Sequence, residues 1–199
     1  MLIDGCGLAA EVKVTEASKS EVRGEVLGHR TVPQPTPRVT IVQAIPKSER
    51  AELAVDLAVQ AGADAIIPWI SHRTIARWPE NKQAKQVEKW QHQALASAKQ
   101  ARRAWVPEVS LPMTSRELGG VDKHKLVLHE DAETSIKDVD FGEELYLVIG
   151  PEGGIGADEL ELIGGTAVKL GPEVLRTASA AFAGLCAIGA LTNRWSVSY

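Results

Sequence analysis

"YLVIGPEGGIGADELELI", residues 146–163, sets Gly150, Pro151, Glu152, Gly153, Gly154 and Gly156 between an apolar run and a helix-like segment. A second run, "TAVKLGPEVLRTASA" (166–180), repeats the word "GPE" and then presents Arg176 and Thr177. Pro151 and Pro172 restrict φ and the glycines carry no Cβ, so each bend turns backbone N–H and C=O groups outward. Two such bends side by side make a cleft lined by main chain. An arginine where a helix begins offers donors to a phosphate or a carboxylate.

The spacing excludes the two common phosphate loops. No GxxxxGK[ST] occurs, and Gly156 is followed by Ala157 and Asp158 rather than by a lysine. "GPEGGIG" is not GxGxxG, and its strand lies near the end of the chain rather than opening a domain. Asp158, Glu159 and Glu161 place negative charge on the first turns of the next helix, which stabilises that helix but repels a phosphate. A neutral or zwitterionic ligand fits better. A tight turn with no ligand is the competing reading.

The elements that must position these bends alternate in type. Residues 9–30 read as two strands of a small β unit, followed by "TVPQPTPRV", whose prolines at 33, 35 and 37 make a stiff linker. A boundary near residue 37 follows, and a piece of that size is too small to bury a core alone. "RVTIVQAI" and "ADAIIPWI" read as strands around a helix that Ser48 can cap and Gly62 ends; Pro79 opens a long helix with apolar residues at 84, 87, 90, 94, 95 and 98. "WVPEVSLPM" reads as a short strand, and Thr114 with Glu117 as a capping box. "KLVLHE", "ELYLVIG" and "TAVKLG" are strands, "ADELELI" and "TASAAFAGLCAIGAL" helices. Alternation of this kind predicts an α/β fold with a parallel sheet covered on both faces, and ligands then bind beyond the carboxyl ends of its strands.

Composition narrows the classes further. Hydrophobic residues at 44% and charged residues at 24% are ordinary for a packed soluble domain. The weakly polar run 178–191 is shorter than the ~18 residues of a membrane span, so no membrane and a cytoplasmic location are expected. Cys6 and Cys186 stand far apart with no CxxC and no His cluster, so no metal is expected. The net charge of −4 is unevenly spread: residues 73–103 hold eight Lys/Arg against two acids, and residues 117–161 hold thirteen acids against three lysines. Arg73 and Arg77 near Trp78, and Arg102 and Arg103 near Trp105, suit phosphate contact with base stacking. A solvated helix face and core tryptophans are the bland alternatives.

"LVIGPEGGIGADELELI" followed by "KLGPEVLRTASAA" resembles the paired C-terminal motifs of the SPOUT-class RNA methyltransferases. More narrowly it is similar to the RsmE family, which methylates N3 of a uridine in the decoding region of 16S ribosomal RNA. The resemblance covers about residues 38–195 and is strongest over 125–185. It implies a SPOUT-type parallel sheet with a C-terminal trefoil knot (residues 37–199), preceded by a partial PUA-like RNA-binding β domain (residues 1–36). It also implies S-adenosylmethionine as cofactor, 16S rRNA or the 30S ribosomal subunit as partner, and a homodimer that shares the site. The knot rests on the resemblance alone, because threaded chains are very rare.

Carried onto this chain, the resemblance assigns the cofactor to Leu128, His129, Ile149, Gly150, Pro151, Glu152, Gly153, Gly154, Leu170, Gly171, Val174, Leu175, Arg176, Thr177 and Ala178. Arg176 then stabilises the anion left when uracil N3 loses its proton; its alternative is an ion pair with Glu152 or Glu173. For the general base, Glu152 is nearest in the motif, with loop-holding through backbone N–H groups as its alternative, and His129 has a suitable pKa. The family's "LGPRILRTET" departs here at Glu173, Ala178 and Ser179. A non-catalytic RNA-binding or ribosome-binding module of the same fold, or a methyltransferase acting on another RNA, is the rival function.

Overall fold

A computed structural model describes residues 1–196, the side chains of Ser48 and Glu49 excepted. After the proline linker the chain forms β4 (Arg38–Ala44), α1 (Ser48–Gln60), β5 (Ala65–Ile70), α2 (Glu80–Gln100), β6 (Glu108–Val109), β7 (Met113–Thr114) and α3 (Ser115–Gly119). It continues through β8 (Lys125–Leu128), β9 (Glu144–Ile149), α4 (Ala157–Ile163), β10 (Thr166–Val168) and α5 (Thr177–Leu191). The strands pair in the order β10-β8-β9-β4-β5-β6, with β7 also against β5, and every pairing in this sheet is parallel. The expected cap at Ser48 falls on a side chain outside the described residues. Lys47 occupies the cap position.

Strand residues of alternating direction feed two cores. Val39, Ile41, Leu145, Leu147 and Ile149 face one side, where Val55 and Val59 of α1, Trp90 and Ala94 of α2, and Ala181, Leu185 and Ile188 of α5 cover them. Val42, Ala44, Trp69, Val127 and Val148 face the other side, covered by Leu118 of α3 and by Ile155 and Ile163. The small residues of α5 serve this packing. A Cβ on Gly184 would lie 2.7 Å from Leu147 Cδ2, so only glycine lets the helix come that close to β9.

One local expectation changed form and another held. "WVPEVSLPM" yields two short strands rather than one, because Pro112 between them has no N–H for a ladder. The capping box forms as expected: Glu117 N donates to Thr114 Oγ1 at 3.3 Å and Thr114 N donates to Glu117 Oε2 at 2.7 Å. Those donors, the Thr114 N–H foremost and its hydroxyl next, hold the Glu117 carboxyl below its ordinary value.

Residues before the linker form β1 (Leu2–Ile3), β2 (Leu8–Ala17) and β3 (Val22–Thr31) in an antiparallel sheet. β3 is exposed along its whole length, and Val14, Val22, Val26 and Leu27 face solvent. This unit is stitched to the foot of α2. Gly7 N donates to Ala104 O, Val106 N to Gly5 O, and Trp105 Nε1 to Val32 O at 2.9 Å. Among the described residues no helix is long and apolar enough to cross a membrane.

Candidate functional site

β8, β9 and β10 lie side by side and end at Leu128, Ile149 and Val168, so the segments that follow them converge at one edge of the sheet. Between them lies a cavity of about 490 Å³, within the range of small-molecule sites. Leu128, His129, Ile149, Gly150, Pro151, Glu152, Gly153, Gly154, Leu170, Gly171, Val174, Leu175, Arg176 and Thr177 all line it. Ala178, also expected at the cofactor, is not among the lining residues. On a helix that starts at Thr177, Ala178 is rotated about 100° from its predecessor and is buried, whereas Ala180 shares the face of Thr177 and reaches the cavity.

The glycine loop is held from both sides. Gly154, at φ 70, closes the turn by donating its N–H to Pro151 O at 2.9 Å. Arg73 Nη1 donates to Gly153 O at 3.1 Å. His129 accepts the Asp131 N–H on Nδ1 at 3.2 Å, which leaves the proton on Nε2, 3.2 Å from Ile155 O. Both ring nitrogens thereby meet backbone groups, and His129 bridges the loops that follow β8 and β9. Glu152, by contrast, is exposed and has no hydrogen bond among the described residues, so it does not hold the loop.

Arg176 is exposed at the N-cap of α5, and its carbonyl accepts the Ser179 and Ala180 N–H groups. Ser179, at one of the positions that depart from the family pattern, also donates its hydroxyl to Arg176 O at 3.2 Å. Among the described residues the guanidinium pairs with neither Glu152 nor Glu173. Beneath it, Gln43 is buried and donates Nε2 to Ala44 O at 3.1 Å and to Thr177 O at 3.5 Å, tying the start of α5 to the central strand. Arg50 of α1 also lines the cavity. Sequence reasoning missed it because it stands outside any motif, and only the packing of α1 beside α5 brings it to the mouth.

The four arginines expected to touch RNA separate. Arg73 and Arg77 are exposed between the end of β5 and the start of α2, and Arg102 is exposed beyond the other end of that helix, which is about 31 Å long. Arg103 is corrected: it is buried, donates to Val59 O at 3.0 Å and Ala63 O at 2.7 Å, and faces Asp64. Carbonyls in the last turn of α1 and in the bend that follows it claim the guanidinium. Trp90 is buried against the edge of Trp78, with ring centroids 5.1 Å apart, and Trp105 anchors the amino-terminal unit. Glu159, one of the acids on the first turns of α4, is buried. Its carboxylate accepts Ser71 Oγ at 3.0 Å, His72 N at 2.7 Å and Ser115 Oγ at 2.5 Å.

Residues 33–189 match a family described as RNA methyltransferase domain. Ribosomal RNA small subunit methyltransferase E of Mycobacterium bovis, like that of Mycobacterium tuberculosis, is 43% identical over 210 positions that cover 100% of this chain and 80% of the relative. The solved structure of the corresponding protein from Neisseria gonorrhoeae, bound to S-adenosyl methionine, superposes with a TM-score of 0.84 at 28% identity and covers 95% of this chain and 81% of its own. The chain therefore belongs to the RNA methyltransferase domain family and, within it, to the ribosomal RNA small subunit methyltransferase E family.

Proposed function

We propose that this protein uses S-adenosylmethionine to methylate N3 of a uridine in 16S ribosomal RNA, at the decoding region of the small subunit. The relatives named above support the reaction class and the cofactor. The observation that carries the finer reading is Arg176: an arginine free of any acid among the described residues, lining the cavity at the start of α5.

The cavity fits the cofactor by its own chemistry. Leu128, Ile149, Leu170, Val174 and Leu175 offer apolar walls for an adenine, and the bends at 150–154 and 170–171 bring backbone donors and acceptors to its edge. Glu130, Glu152 and Glu173 suit the positive groups of a zwitterion, and Arg50 suits its carboxylate. When bound, S-adenosylmethionine supplies a methyl group on a sulfonium. Uracil N3 must lose its proton to accept that group. Arg176 is placed to stabilise the resulting imide anion, and Glu152, free of loop contacts, is the carboxylate available to take the proton.

The reading extends to architecture. After β10 the chain runs along the loop that follows β8, with Lys169 N donating to Thr134 O and Ile136 N to Lys169 O, before α5 docks on α1, β4 and β9. That course supports a C-terminal trefoil knot. Val174, Phe182 and Leu191 are exposed apolar residues, which supports a homodimer that shares the site. Residues 1–36 are read as part of a PUA-like RNA-binding domain, with residues 37–199 as the catalytic domain. Arg73, Arg77 and Arg102 serve RNA contact, and the cytoplasm is the site of action.

The test is methyl transfer from labelled cofactor to 30S subunits and to naked 16S rRNA, followed by mapping of the modified base. A labelled 3-methyluridine in either substrate meets the expectation. Calorimetry showing no cofactor binding at high micromolar concentration sinks the reading, and a product methylated at another atom or in another RNA corrects the substrate.

A further inference from the structure

Arg73 was expected to be an RNA contact, yet its side chain is turned onto the cofactor loop. Nη1 donates to Gly153 O at 3.1 Å, and a Cβ on Gly153 would sit 3.2 Å from Arg73 Cβ. The backbone that carries Arg73 is fixed by a buried anchor. Glu159, only 1% exposed, accepts Ser71 Oγ and His72 N, and it also accepts Ser115 Oγ, which in turn accepts Trp69 Nε1 at 3.2 Å. Ser71 Oγ then accepts the Arg73 N–H at 3.4 Å. The segment after β5 is thus locked to α3 and α4 before Arg73 reaches across to the loop after β9.

A guanidinium has five N–H donors in a rigid fork, and the Gly153 carbonyl uses one. The rest of the Arg73 fork has no partner among the described residues, and the residue is exposed, with Arg77 exposed four positions on. Asp158 is 3.8 Å from His72 Nδ1 and makes no ion pair with Arg73. One planar group therefore holds a carbonyl of the cofactor loop while offering free donors to solvent.

We propose that Arg73 couples the two substrates: it braces the Gly153 turn that lines the cofactor cavity and binds an RNA phosphate with its remaining donors, so that cofactor and RNA bind cooperatively. The inference rests on the reading of the cavity given above. Each ligand orders the same side chain, so whichever binds second finds it already placed. Coupling of this kind is reciprocal and typically amounts to about 5- to 150-fold in affinity.

The experiment measures the affinity of 30S subunits for the full chain with and without saturating S-adenosylhomocysteine, which cannot react, for wild type, Arg73→Ala, Arg73→Lys and Arg77→Ala. In wild type the nucleoside is expected to tighten 30S binding at least about 5-fold. Arg73→Ala is expected to bring that factor within about 2-fold of unity and to weaken S-adenosylhomocysteine binding alone roughly 10-fold, as loss of a charge-assisted hydrogen bond does. Its melting temperature is expected to stay within about 2 °C, as befits an exposed side chain. Arg73→Lys keeps the charge but not the fork, so 30S affinity is expected to persist while most of the coupling disappears. Arg77→Ala weakens 30S binding and keeps the coupling. Wild type that binds both ligands without coupling, or Arg73→Ala that retains it, overturns the inference alone. Wild type that binds no S-adenosylhomocysteine overturns the cofactor reading itself.

Discussion

Two groups of arginines occupy opposite edges of one parallel sheet. At the carboxyl edge Arg73 and Arg176 are exposed, each with donors unused among the described residues, beside the cavity that the two bends line. At the amino edge Arg103 and Arg194 are buried around Asp64. Arg194 lies 2.9 Å from Asp64 Oδ2 and also donates to Pro37 O and Gly62 O, while Val39 N donates to the same carboxylate at 2.7 Å. The difference is one of solvation: a guanidinium that has given up water must have every donor answered, whereas an exposed one can keep donors for a ligand. Arginines of the first kind hold the fold together, and those of the second are candidates for recognition.

Removing a buried partner tests that contrast most severely. Arg194→Ala takes from Asp64 its nearer cation, leaving Arg103 at 4.0 Å, and strips Pro37 O and Gly62 O of their donor, and is expected to cost about 3–5 kcal/mol in chemical denaturation, with methyl transfer per folded molecule unchanged. Arg176→Ala is expected to do the reverse, lowering the rate of transfer about 10²- to 10³-fold with an unchanged denaturation midpoint. If stability falls with Arg176, or activity per folded molecule falls with Arg194, the two edges are not functionally distinct.

Smaller effects sharpen the picture away from both edges. Thr114→Ala removes the capping box of α3 and is expected to cost about 1 kcal/mol by denaturation. The smallest effect is in pH. Because the folded Glu117 carboxyl titrates below its ordinary value of 4.5, its contribution is present above about pH 4.5 and is lost as pH falls through the lower folded value. The stability difference between wild type and Glu117→Gln is therefore expected to narrow as pH is lowered from 5 to 3, followed by circular dichroism. A difference that stays constant across that range rules out the carboxylate as the accepting form.

Much of the site was legible because its signals are local. "GPEGGIG" and "LGPEVLRT" carry their bends in adjacent glycines and prolines, and fourteen of the fifteen residues expected around the cofactor line one cavity. Ala178 lies off that cavity because the register of α5 turns it inward. Arg103 failed because the carbonyls that take it, Val59 O and Ala63 O, lie in and just after α1, some forty residues earlier. His129 gave a strand-end histidine in the sequence, but its clamp depends on Ile155 O and is visible only once the two loops meet.

The alternation of apolar strands with amphipathic helices, the proline linker and the paired bends were determined by the sequence by itself, since each depends on neighbouring residues and their backbone preferences. Which charges are buried was decided by tertiary structure alone. Glu159 and Asp158 are adjacent acids in one short helix, yet Glu159 meets two hydroxyls and a backbone N–H while Asp158 stays in water. Desolvation depends on what packs against a side chain, and the groups that pack against Glu159 come from segments 44 and 88 positions away.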